Sequence, residues 1–312
     1  MAETQQSSLA SAGTTAFDKR SYFALRSKLQ FIQAATVKGA PYHVGGTVQF
    51  NITDDLAVAT STLSETADVT PVALSDSTVN VTLAEYGNTV RTTRLARGTA
   101  YRTIDADAAN VVGYNAGDSI DTLARNVLVG GTNVTYAGAA TSTATVAASH
   151  TLASEDIRAA VAQLRGSSAP TLVGDLYMGY LHPDQAVDLR AETGGAGWNE
   201  PMNNSEATRR FRGIVGVYEG VAWMETPRVR LTADAGVSNV DVYDALIMGD
   251  EALAMAYSSS ESAALPQVVR GEVTDTLRRL VPVGWYWLGG FSIFREACLH
   301  RIETASSIGA NA

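Results

Sequence analysis

Residues 281 to 294 read VPVGWYWLGGFSIF, without a single charge and with five aromatic side chains. Val281, Val283, Trp285, Trp287, Phe291 and Ile293 take every odd position but Gly289, while the even positions include Pro282, Gly284, Gly290 and Ser292. Side chains alternate across a strand, so this is the period of one long strand with a heavily buried face. A membrane helix needs about 20 consecutive apolar residues to cross roughly 30 Å of hydrocarbon. Arg295 and Glu296 stop the run short of that. The aromatic stretch therefore belongs to a core and not to a span.

Two other stretches alternate in the same way, TVQFNI with Val48, Phe50 and Ile52, and TVNVTL with Val79, Val81 and Leu83. They read as strands with one buried face. Between them lie about 26 residues rich in Thr, Ser, Ala and Asp with only isolated apolar positions, longer than a compact domain ordinarily leaves without structure. An extended ribbon whose partner is another molecule accounts for that spacing. Phe50, Ile52, Val79 and Val81 are then candidate inter-subunit contacts.

Helical spacing appears over Thr103 to Leu128, where Ile104, Ala108, Val112, Ala116, Ile120, Leu123 and Val127 fall on one face. Acidic residues occupy the first turn and Gly130 and Gly131 follow the end. Such a helix is a rod of roughly 38 Å, although Gly113 and Gly117 weaken it by about 1 kcal/mol each against alanine. SEDIRAAVAQLRG predicts a second helix, capped by Ser154 and ended by Gly166. After it, TLVGDLYMGYL predicts a strand, His182-Pro183-Asp184 a sharp turn, and Asp184 to Glu192 a third helix. GIVGVYEGVAWMETPRV and VDVYDALIMGDEALAMAY supply further strands. The chain is thus α+β.

The net charge of -9 over 312 residues argues against a reader of nucleic-acid sequence, whose affinity comes largely from basic residues on phosphates. That charge is uneven. Lys19, Arg20, Arg26, Lys28 and Lys38 against Glu3 and Asp18 make the first forty residues +3, which leaves -12 for the remainder. Tyr22, Leu25, Leu29 and Ile32 fall three or four apart between these charges, the pattern of a short amphipathic helix that must dock on its own body, on another subunit or on a membrane surface. Arg20, Tyr22, Arg26 and Lys28 join the candidate contacts. Residues 1 to 17 are polar, with no export signal, so the protein is expected to be made in the cytoplasm and to stay soluble.

Catalytic constellations are near misses. GGAGWNE at Gly194 has Glu200 where a dinucleotide fingerprint needs its third glycine. DADAAN at Asp105 lacks the turn glycine and the bidentate glutamate of a calcium loop. One cysteine, Cys298, and four scattered histidines give no zinc spacing. There is no nucleophile elbow and no phosphate-cradling Gly-Lys-Ser/Thr. No catalytic residue, metal or cofactor is expected; a hydrolase with dispersed carboxylates, soluble and low in oligomeric state, is one competing reading.

LQFIQAATVKG (29 to 39), AEYGNTVRTTRL (84 to 95), LHPDQAVDLR (181 to 190), GVAWMETPRV (220 to 229) and VGWYWLGGFSIFREACLHRIETA (283 to 305) resemble, in that order, segments of the major capsid proteins of tailed bacteriophages. The branch is that of phage N-four-like coat proteins, within the Hong Kong 97-type capsid fold. The resemblance implies an N-terminal arm over 1–44, an extended loop over 45–83 and a peripheral domain over 84–151 with its spine helix at 103–128. It further implies an axial domain over 152–269 and returning peripheral strands over 270–312. It also implies copies arranged as hexamers and pentamers in an icosahedral shell around double-stranded DNA, assembled in the host cytoplasm and resident in the virion. Scaffold, portal and decoration proteins are the other implied partners, and no membrane is. Some relatives crosslink their shells through lysine, and Lys19, Lys28 and Lys38 give that chemistry no support. Two alternatives compete: an encapsulin-like compartment of the same fold that encloses protein cargo, and a β-rich adhesin or carbohydrate-binding module.

Overall fold

The structure is a computed structural model, and it describes residues 30–41, 45–100, 103–192, 214–273 and 275–308. The amphipathic segment bearing Arg20, Tyr22, Arg26 and Lys28 and the Gly194 loop lie outside these residues. In chain order, a 3-10 turn at Phe31–Ala34 leads into β1 (Ala35–Ala40), β2 (Thr47–Thr53), β3 (Asp76–Thr82), β4 (Ala84–Thr93), α1 (Arg94–Thr99) and α2 (Ile104–Val129). Then come β5 (Val134–Tyr136), α3 (Ser154–Gly166), β6 (Tyr177–Leu181), α4 (Pro183–Ala191), β7 (Ile214–Tyr218), β8 (Val221–Glu225) and β9 (Leu231–Thr232). The chain closes with β10 (Val242–Met248), β11 (Leu253–Ser258), β12 (Gln267–Arg270), β13 (Leu280–Ile293) and β14 (Leu299–Thr304).

β13 organises the first sheet. Its odd positions Val281, Val283, Trp285 and Trp287 are buried, as the alternation requires. β4 runs antiparallel along one edge, from Leu280↔Thr93 to Gly289↔Ala84. β12 and β11 share the opposite edge, and β1 extends the sheet beyond β11 in parallel. α2 lies across this sheet and buries Val112, Ala116 and Ile120 against Met255, Trp285 and Trp287. Trp285 Nε1 donates to Asn115 Oδ1 at 2.9 Å, so the indole buries its body and still satisfies its polar edge. This packing holds the helix intact through Gly113 and Gly117, because tertiary burial outweighs two weak propensities.

The second sheet has the order β5-β14-β10-β6-β8-β7, with β9 on β10. Its core joins Trp223, Tyr180, Leu246 and Ile302 to Ile157, Ala160 and Leu164 of α3 and Leu189 of α4. Glu219 and Gly220, at φ 51 and 79, make the two-residue turn between β7 and β8, where both positions must be left-handed.

Strand pairing cuts across the boundaries expected from the sequence. Residues 35–40, placed in an arm, are β1 inside the first sheet. β11, placed in the axial unit, belongs to the same sheet, while β14, placed among the returning peripheral strands, pairs with β10 and β5 in the second. Partners far apart in sequence decide these memberships, and no local pattern encodes them. The cap of α3 also differs. Ala153 is the N-cap residue, its N–H donating to Asp156 Oδ2, and the Ser154 hydroxyl donates to Glu192 instead. The left-handed residue after this helix is Ser168, φ 55, not Gly166. His182 does cap α4, its Nδ1 accepting from the Asp184 N–H at 3.3 Å, which leaves His-Pro-Asp a structural role.

Candidate assembly surface

β2 and β3 form an antiparallel hairpin in the register Val48↔Val81 and Phe50↔Val79. Its base is docked. Val48, Phe50 and Val81 are buried against Ala40, Ala254 and Ala256, with Val79, Leu83 and Phe294 packed around them. The Phe50 and Phe294 rings lie 5.4 Å apart. Lys38 Nζ donates to the Gln49 carbonyl at 2.6 Å and sits 5.2 Å from the centre of the Phe50 ring. Gly290 permits the close approach of β3 to β13, since a Cβ there would lie 2.1 Å from the Thr82 carbonyl oxygen.

These contacts correct part of the expectation. Phe50 and Val81, 7% and 0% exposed, are covered by their own chain, which leaves little or nothing of either for a neighbour. Ile52 and Val79 are half-buried. Alternation shows that a face is buried; it does not show against what. The exposed apolar surface lies instead in the connection between the strands. Every residue from 53 to 78 is exposed, and Leu56, Val58, Leu63, Val69, Val72 and Leu74 lie between 53% and 85% exposed. Sequence reading passed over them because single apolar residues among Thr and Ser carry no period. Their signal was the combination of bulk, isolation and a segment too long to be an ordinary turn.

On α2, Asp121 ties three parts of the chain together. It is fully buried on α2, and its Oδ1 accepts from the backbone N–H groups of Gln30, Phe31 and Ile32 at 3.1, 2.8 and 3.4 Å. Its Oδ2 accepts from Arg228 Nε at 3.0 Å, and Arg228 also binds Asp118 and Thr122. One carboxylate thus fixes the point where the N-terminal segment enters the body, the middle of α2 and the loop after β8.

In the second sheet, Asp244 and Glu303 face each other across the β10–β14 ladder. Arg230 lies 2.6 Å from Asp244, and Arg301 lies 3.0 Å from Glu303. Burial pushes the Asp244 carboxyl up to about 6, with Arg230 pulling it down and Glu303 pushing it up. Burial also pushes His300 down to about 4, and its Nε2 is 2.8 Å from the Thr135 hydroxyl. Among the described residues no group of three or more His, Cys, Asp or Glu is placed to hold a metal ion. No described helix is long and apolar enough to cross a membrane.

A chain with this sheet-spanning helix, this long strand and this ribbon with an exposed tip matches a family model described as phage capsid protein over residues 7–308. The chain belongs to the phage capsid protein family. Solved structures agree in fold. The capsid of Ralstonia phage GP4 superposes with a TM-score of 0.78 at 19% identity, covering 94% of this chain and 95% of that one. The cyanophage Pam1 capsid gives 0.73 at 14% identity, over 98% and 100% of the two chains. The acid-stable capsid of Helicobacter pylori bacteriophage KHP30 gives 0.70 at 14%, over 98% and 99%. No curated protein sequence matches the chain. The α+β capsid fold expected from the sequence is therefore the fold of this phage capsid protein, with a structural role.

Proposed function

We propose that this capsid protein is the major shell subunit, whose copies assemble as hexamers and pentamers into an icosahedral shell around double-stranded DNA. Assembly takes place in the host cytoplasm and the finished location is the virion. The observation that carries this reading is the ribbon: its base is buried in its own chain, while its connecting loop exposes six large apolar side chains. Burial of such side chains contributes about 1.5–3 kcal/mol each, enough in obligate contacts to offset the cost of association. Its acidic composition outside the first forty residues suits a container that must not adhere to phosphate everywhere. The domain division is best drawn along the sheets, the one containing β13 and α2 as the peripheral unit and the one containing β10 as the axial unit. Half-buried Ile52 and Val79, and the segment bearing Arg20, Tyr22, Arg26 and Lys28, are further contacts with neighbouring copies. Scaffold, portal and decoration proteins are additional partners.

The test is expression of the chain with its neighbouring genes, followed by size exclusion and negative-stain microscopy. Particles tens of nanometres wide that contain DNA support the reading. A compact monomer under all conditions defeats it, and shells filled with an enzyme and free of nucleic acid favour the encapsulin-like alternative.

A further inference from the structure

Between α2 and α3, residues 130–153 contain no Asp, Glu, Lys or Arg, and His150 is their one imidazole. This Ser, Thr, Ala and Gly segment lies along β14. Its strand β5 ends the second sheet among the described residues and pairs with β14 in parallel, from Arg301↔Val134 to Glu303↔Tyr136. Further along, the Ala305 N–H donates to the His150 carbonyl at 2.8 Å. Beneath the segment, Val146 is buried with Val242 and Ala305. Lifting it would turn β14 into a bare strand edge and uncover that apolar cluster.

Titratable side chains of one stretch, 296 to 303, hold the segment down. Glu296 Oε1 accepts from the Thr132 hydroxyl at 2.9 Å and from the Thr132 and Asn133 N–H groups. Glu303 Oε2 accepts from the Thr143 hydroxyl at 2.6 Å, and His300 Nε2 lies 2.8 Å from the Thr135 hydroxyl. His300 is the member without a counter-charge. It is 1% exposed, and its cross-strand partner on β10 is Ile247. Asp244, Arg301 and Glu303 alternate onto the other face of the sheet. β5 brings no charged residue, and α3 buries Ile157, Ala160, Val161 and Leu164 while its Asp156 accepts from the Ala153 N–H. Burial alone pushes the His300 imidazole down to about 4. A proton there is therefore an uncompensated buried cation while the segment is seated, and an ordinary solvated one when it is lifted.

We propose that residues 132–150 are an acid-released flap, seated on β14 at neutral pH and lifted when His300 takes up a proton. The sign follows from linkage: the lifted state binds the proton more tightly, so acid draws the chain toward it. His150 works in the same direction, because its Nδ1 accepts from the Ala147 N–H at 3.2 Å and cannot do so once protonated. The device is built into the single chain and does not depend on the shell.

Amide hydrogen exchange of the full-length chain from pH 7 to pH 4, corrected for the chemical exchange rate, tests this. The amides of Ala137, Arg301 and Ala305 bond across the seam between flap and β14. They should open at least tenfold more readily at pH 4.5 than at pH 7, since an imidazole released from about 4 to its ordinary value gains roughly fiftyfold there. The rise should set in below about pH 6.5 and level off near pH 4, while amides of the β4–β13 ladder change less than twofold. His300→Gln, which can still meet the Thr135 hydroxyl, should abolish the response. A seam that opens equally at pH 7 and pH 4.5 overturns the proposal, and so does a rise confined below pH 4, which would assign release to the carboxylates. An undiminished response in His300→Gln overturns it as well. If that variant does not fold, the unmodified chain decides alone through the pH at which the rise sets in.

Discussion

Val81 and Leu63 belong to one hairpin, yet the first is fully buried and the second is 77% exposed. The base of the ribbon follows the rules of a monomer core: alternating residues, close packing on Ala254 and Ala256, and a glycine where two backbones meet. The tip breaks those rules over more than twenty consecutive positions. One element therefore contains a part that stabilises the individual chain and a part whose apolar surface is stabilised only by company. Substitutions in the two parts should separate folding from assembly.

The largest effect is expected at the base. Val81→Asp places a carboxylate in a fully buried apolar cluster, and should cost about 4–5 kcal/mol or unfold the ribbon. Leu63→Asp should leave the denaturation midpoint unchanged and reduce the yield of shells, so measuring both quantities for both variants breaks or upholds the comparison. Next comes Asp121→Asn, which leaves Arg228 buried without its full partner and should destabilise by about 3 kcal/mol. Limited proteolysis should then cut near residue 30, because the three amides held by Oδ1 lose the charge that orders them.

Acid stability sharpens the contrast further, because its determinants lie in the second sheet and not in the ribbon. His300 has a folded pKa depressed to about 4, so its contribution is present above its ordinary value near 6.5 and is lost as pH falls toward 4. Asp244 has a raised value of about 6, so its contribution is present below the ordinary carboxylate value and is lost as pH rises through 6. The two oppose each other across the same window, each by about 3 kcal/mol at most. His300→Gln should therefore leave the Asp244 contribution unopposed: the melting temperature of the variant should rise, relative to pH 7, as pH is lowered from 6.5 to 4. The smallest effect belongs to Val58→Ser, within about 0.5 kcal/mol of the unmodified monomer, since the residue is 85% exposed.

Periodicity made the long strand, the spine-length helix and both ribbon strands legible, since each buries one face and period encodes burial. It could not name the covering partner, and so Phe50 and Val81 read as contacts with a neighbour when they face their own chain. β14 was grouped with the returning peripheral strands for the same reason, since its partners β10 and β5 are distant in sequence. Serine's capping preference pointed to Ser154, but the geometry put the cap one residue earlier and gave the hydroxyl to Glu192. Asp121 left a usable sign, an acid beside Ile120 on the apolar face of α2, where an unpartnered carboxylate would be prohibitive. The loop's six apolar residues carried no period at all, and only the exposed surface of the folded chain reveals them.

Sedimentation velocity of the full chain and of the chain lacking residues 55–74, each with its melting temperature, tests the central claim most directly. The account predicts large particles for the full chain and small species for the shortened one, with the melting temperature of the isolated subunit unchanged. Normal shells from the shortened chain, or its failure to fold, would contradict it.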